Sequence, residues 1–122
     1  MDTDGEERRE RERRANEMED RLIEFAVRVV KLTESLSRSP GQRHIASQLL
    51  RAGTSPAPNY AEARAAESRA DFLHKLRIAL KELNESCVWL RMPGRAQFLK
   101  PEWASKYPAI MTVLSITSKS GT

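Results

Sequence analysis

Cysteine occurs once in this chain of 122 residues, at Cys87, which excludes an internal disulfide and any cysteine-cluster metal site. Histidine occurs twice, as His44 and His74. A di-metal site inside a helical bundle takes a Glu from two helices and a Glu-x-x-His from two others. The only approach to that pattern is a single Asp71-x-x-His74, so a surface or flanking histidine is the expected role and no metal is expected. Cys87 lies on an apolar stripe with no histidine three or four positions away, and reads as a small hydrophobe rather than a nucleophile. Five scattered glycines form no phosphate-cradling loop. Ser55 near Gly53 is no nucleophile elbow, because no strand precedes it. Aromatics make up 6% of the chain, which leaves few platforms for base stacking. No apolar run approaches the roughly 20 residues needed to cross a membrane, and the first residues lack the apolar stretch of a signal peptide. The expectation is a cytoplasmic, non-enzymatic protein with no catalytic, cofactor-binding or metal residues.

Charge is abundant and unevenly placed. The formal net charge is +4. Residues 1–21 carry six Arg against nine Asp/Glu, whereas residues 22–122 carry fifteen Lys/Arg against eight Asp/Glu. The body of the chain is therefore basic, which suits nucleic acid or an acidic partner and equally suits a soluble charged surface. In residues 1–20 Glu and Arg alternate three and four apart without apolar periodicity. That pattern predicts a solvated, frayed extension of the first helix, its glutamates cancelling the field of the RERERR run.

Apolar spacing predicts helices throughout. Leu22, Phe25, Val29, Leu32 and Leu36 recur at steps of 3 and 4, a seam over about Asp20 to Ser37 that Ser39-Pro40-Gly41 ends. Pro40 opens a second helix with Ile45, Leu49 and Ala52 on one face. Pro56 and Pro58 predict a break or strong kink, with helix resuming from Asn59 to about Ala66. Ser68, with Asp71 three residues on, predicts the cap of a third helix. Its seam is Leu73, Leu76, Leu80, Leu83, Cys87 and Leu90, widened by Phe72, Ala79 and Trp89, and Pro93-Gly94 is its expected end. Trp103, Tyr107, Ile110, Leu114 and Thr117 suggest a fourth helix, interrupted or started by Pro108. The expected organisation is a charged extension over 1–20, an antiparallel up-down four-helix bundle over 21–118, and a frayed tail over 119–122.

Three polar residues carry structural expectations. Asn59 would cap the helix restarting after Pro58, and Glu62 would return that bond or sit at the positive helix end. Glu85 would pair across the bundle with Arg51 or Arg64, fixing register.

The segment Gln48–Leu90 also carries a resemblance. Leu49, Leu50, Arg51, Gly53, Thr54, Ser55, Asn59 and Tyr60 match one family's corner, and Ala63, Arg64, Ser68, Ala70, Asp71, Phe72, Lys75, Leu76, Ile78, Ala79, Leu80, Glu82, Glu85, Trp89 and Leu90 match it downstream. The chain resembles the four-helix-bundle proteins encoded by intervening sequences in large-subunit ribosomal RNA genes, over about residues 20–118. Pro56, Pro58 and Lys106-Tyr107-Pro108 depart from the family pattern. The resemblance implies a bundle assembled as a ring, often a pentamer, with no established enzyme activity. By fold alone it is distantly similar to the accessory protein of diversity-generating retroelements, a basic ring that contacts nucleic acid and a reverse transcriptase.

These readings converge on a homo-oligomer, expected as a pentamer, that binds RNA or DNA or holds a nucleic-acid enzyme. The candidate contacts are Arg51, Arg64, Arg69, Lys75, Arg77 and Lys81. A ring repeats each basic face and turns weak phosphate contacts into avidity. The rival is a structural or protein-interaction module whose charge serves solubility alone. A metal or small-molecule site in the bundle core is a third class.

Overall fold

The computed structural model describes residues 2–98, all helix, turn or loop, with no strand among them. The helices are α1 (Thr3–Glu34), α2 (Pro40–Thr54), α3 (Pro56–Arg64) and α4 (Arg69–Arg95). The fourth helix expected around residues 103–117, and the tail over 119–122, lie outside the described residues.

Helix α1 begins at Thr3, well before the expected Asp20. Asp2 caps it by accepting from the Gly5 amide at 2.8 Å, and Asp4 and Glu6 sit favourably in its first turn. Further along, Glu10 accepts from Arg13 at 2.6 Å and Arg14 at 3.2 Å, pairs that hold an otherwise solvated helix. Ser39 caps α2 by accepting from the Gln42 amide at 3.1 Å, while the Gln42 side chain accepts from the Arg38 amide at 3.0 Å.

The expected break at Pro56 is one residue long. Ser55 ends α2 and starts α3 with helical dihedrals, φ −79° and ψ −37°. The prolines occupy the first and third positions of α3, where amides have no intrahelical partner to lose. Pro56 is buried, so it also adds to the packing.

At the far end, Pro93-Gly94 does not stop α4, contrary to the sequence expectation. Pro93 lies inside the helix and is buried. The stop comes at Gln97, whose φ of 58° is left-handed. The Gln97 amide donates to the Gly94 carbonyl at 3.2 Å and the Phe98 amide to the Pro93 carbonyl at 2.9 Å. Those two bonds are a Schellman motif, and Phe98 completes it by packing onto the core.

Three rods result: α1, the joined α2–α3, and α4. Neighbouring rods run antiparallel. Gly53 meets Val29, Arg64 meets Glu19, Lys75 meets Glu62, and Trp89 meets His44. The main core gathers near the α1–α2 turn, where Val29, Leu32, Leu36, Ala46, Leu49 and Leu90 are buried with Phe25, Ile45, Trp89 and Phe98 packed against them. Each fully buried Leu there contributes about 1.5–3 kcal/mol of transfer free energy.

Helix α4 carries two apolar lines, and the seam read from sequence reaches the more buried one only at Leu90. Its buried line is Ala79, Ser86, Leu90 and Pro93. Small residues let α4 approach closely, and the Ser86 hydroxyl is satisfied by donating to the Glu82 carbonyl at 2.7 Å. The adjoining seam Leu73, Leu76, Leu83 and Cys87 is half-buried, and Leu80 within it is 58% exposed.

Candidate nucleic-acid interface

The candidate basic residues divide into two sets. Arg51, Arg64 and Lys75 are tied into contacts between rods. Arg51 projects from α2 to two carboxylates on α4: its Nη1 donates to Glu82 at 3.3 Å and its Nη2 to Glu85. The structure thus selects Arg51 over Arg64 as the partner of Glu85. Arg64 turns the other way, donating to Asn16 at 2.8 Å and pairing with Glu19 at 3.5 Å on α1. Lys75 pairs with Glu62 at 2.8 Å, joining α4 to α3. The Glu62 carboxylate holds the Lys75 ammonium above the ordinary lysine range through this bond.

The capping expectation for Asn59 and Glu62 needs correction. Helix α3 starts at Pro56, so Asn59 is a turn too late to cap it. Its Nδ2 instead donates to the Ser55 carbonyl at 3.0 Å and the Ser55 hydroxyl at 2.9 Å, bracing the α2–α3 junction. Glu62, later still, is free to reach Lys75 on α4.

Arg69, Arg77 and Lys81 are exposed and make no ion pair among the described residues. Arg77 and Lys81, one turn apart, lie on a single face of α4. His74, Arg77, Lys81, Asn84, Val88 and Arg95 recur there at steps of 3, 4, 3, 4 and 7, and all are exposed. Arg69 sits on the adjoining flank at the helix start. The acidic residues of α4 are Asp71, in the first turn, and Glu82 and Glu85. Because Arg51 draws the latter two toward α2, the stripe from His74 to Arg95 carries no carboxylate. At 1.5 Å per residue Arg77 and Arg95 stand about 27 Å apart.

Arg95 was missed by the sequence reading as a member of this face, because Pro93-Gly94 reads as a helix end. The signal that finds it is Gln97-Phe98 acting as the stop. Just before it, Arg91 is half-buried, and its Nε has no hydrogen-bond partner among the described residues.

The other candidate chemistries stay unassembled. Among the described residues, no three His, Cys, Asp or Glu side chains gather to hold a metal ion. His44 lies edge-on to Trp89, ring centroids 5.8 Å apart, and His74 sits on the exposed stripe. Burial pushes the Cys87 thiol up, away from nucleophilic use. A shallow groove of about 350 Å³ lies between the end of α1 and α2, lined by Thr33, Leu36, Ala46 and Leu50. No described helix is long and apolar enough to cross a membrane.

Fold and surface together define an all-helical domain with a basic stripe along α4. The chain belongs to the 23S rRNA-intervening sequence protein family, whose profile matches residues 14–116. It is similar to a crystal structure of a protein of unknown function from the S23 ribosomal protein family of Bacteroides thetaiotaomicron VPI-5482. The two share 39% identity over 86% of this chain and 91% of the other, with a TM-score of 0.69. No curated protein matches the chain.

Proposed function

We propose that this protein is a non-enzymatic, homo-oligomeric binding protein that engages the phosphate backbone of RNA or DNA through the outer face of α4, and so serves as a nucleic-acid platform or as a scaffold for an enzyme acting there. The observation that carries the reading is the segregation of charge on α4. Arg51 holds Glu82 and Glu85 on the inner side, which leaves Arg77, Lys81 and Arg95 outside with no acid among them. A face kept free of carboxylates along several turns is what phosphate contact requires and what mere solubility does not.

The assembly proposed is the ring that family membership suggests, each copy a four-helix bundle. The half-open leucine seam of α4, with Leu80 58% exposed, supports a fourth helical partner beside it. That is the role the sequence assigns to residues 103–117. In a ring of about five copies each α4 face repeats, and weak single contacts combine into avidity.

The test is salt-dependent binding of a generic RNA, followed by fluorescence anisotropy, with Arg77→Ala/Lys81→Ala beside the wild type. Removing two phosphate contacts per bound face lowers the slope of log K against log salt by about 2 and leaves helicity unchanged. An intact oligomer that ignores RNA at low salt refutes the nucleic-acid reading and leaves a protein-interaction scaffold.

A further inference from the structure

We infer that the nucleic acid engaged by the α4 face is a duplex, bound through its backbones without regard to sequence, rather than a single strand. The inference rests on the nucleic-acid reading above and adds the class of ligand. Three features of the stripe point to it.

The first is the distribution of charge along the helix. His74, Arg77 and Lys81 cluster over two turns, Asn84 and Val88 follow without charge, and the half-buried Arg91 and exposed Arg95 resume it. At helical rise Lys81 is about 15 Å from Arg91 and about 21 Å from Arg95. A duplex presents two phosphate ridges flanking an open groove, the major groove about 12 Å wide in B-DNA and the wide, shallow minor groove in A-form RNA. A helix laid across it needs cations near each end and none in the middle. A single strand running along the helix would be served by evenly spaced cations.

The second is the absence of stacking surfaces on this face among the described residues. Proteins that hold single strands combine a basic groove with aromatic side chains on which bases stack. The stripe holds no aromatic residue. Of the neighbouring aromatics, Phe72 lies in the first turn on another face, and Trp89 is turned toward His44 on α2. With no ring to stack on among the described residues of this face and one amide, Asn84, for base edges, the face contacts backbone only.

The third is rigidity. The cations stand on one long helix whose other side is packed against α2 and α3, so their spacing is fixed before binding. A stiff duplex gains from preset spacing, whereas a flexible strand adapts to any spacing and pays ordering entropy in doing so.

The experiment is anisotropy of the full chain with a labelled 20-base-pair RNA duplex, the matching DNA duplex, and each separated strand, at several salt concentrations. We expect both duplexes to bind about tenfold or more tightly than their strands, as twice the phosphate density and the fixed spacing imply. Arg95→Ala should cost the duplex more than the strand, because it removes the exposed cation at one of the two ends that span the groove. Equal or tighter binding of the strands overturns the duplex inference while the nucleic-acid reading stands. Tighter duplex binding with no differential effect of Arg95→Ala overturns the groove-crossing geometry. Binding of none of the four probes overturns both readings.

Discussion

The contact between Gly53 and Val29 sets how closely α2 lies on α1, and Gly53→Ala tests it. A Cβ built on Gly53 would stand 2.7 Å from one methyl of Val29 and 2.9 Å from the other. Two effects then oppose each other. Alanine in a helix interior is favoured over glycine by about 1 kcal/mol. Against it, a methyl group forced into a packed core costs about 1–3 kcal/mol. The overlap is with a short β-branched side chain, fully buried, that has one dominant rotamer in a helix and nowhere to turn. The steric term therefore takes the upper part of its range and wins, and the net loss should be about 1–2 kcal/mol, lowering Tm by roughly 4–10 °C. The assay is thermal and urea unfolding followed by far-UV circular dichroism at one fixed protein concentration, since assembly makes Tm concentration-dependent. Val29→Ala alone should cost about 2 kcal/mol through its cavity. The double variant should be less destabilised than the sum, by about 1 kcal/mol, because the new methyl fills part of that space. A stabilised Gly53→Ala, or strict additivity, refutes this account of the α1–α2 contact.

Three smaller predictions follow from the same structure. Gln97→Gly should raise stability by about 0.5–1 kcal/mol, because residue 97 adopts φ 58°, where glycine has no steric penalty; chemical denaturation reads it. The Lys75 pKa is raised in the folded state, so the Glu62 pair contributes fully below the ordinary lysine value of about 10.4 and is lost as pH climbs through the raised value. A Lys75→Met variant should therefore lose the alkaline step in a stability-versus-pH titration. Arg51→Ala should cost about 1 kcal/mol or less, its pairs being partly exposed. It should also weaken RNA binding by releasing Glu82 and Glu85, and Arg51→Lys should restore only part of either loss, for want of the guanidinium fork.

Much of the helical layout was legible because it depends on local signals. Ser68 caps α4 by accepting from the Asp71 amide at 3.0 Å, as its spacing indicated, and Pro40 sits in the first turn of α2. The misreadings arose where tertiary packing overrides local preference. Pro93 breaks helices in isolation, yet here it is buried within α4, and the last turn is closed by bonds to Gln97 and Phe98. The apolar stripe of α4 includes Ala79 and Leu90, which are buried, but Leu80 within it is exposed and Ser86, which no apolar pattern marks, joins the closer approach. The direction of each basic side chain was the least readable property. Composition gives a number of arginines, whereas which of them meets a carboxylate depends on how rods thirty residues apart in sequence are juxtaposed. Arg51 and Arg64, both of interest as phosphate contacts, prove to be ties between helices.

The central claim is that an assembled protein offers repeated basic faces to nucleic acid. Light scattering on a sizing column, at low and high salt, with and without a short RNA, tests it most directly. A multi-subunit species that gains mass with RNA at low salt and loses it at high salt is the predicted result. A monomer, or an assembly whose mass RNA leaves unchanged at low salt, would contradict it.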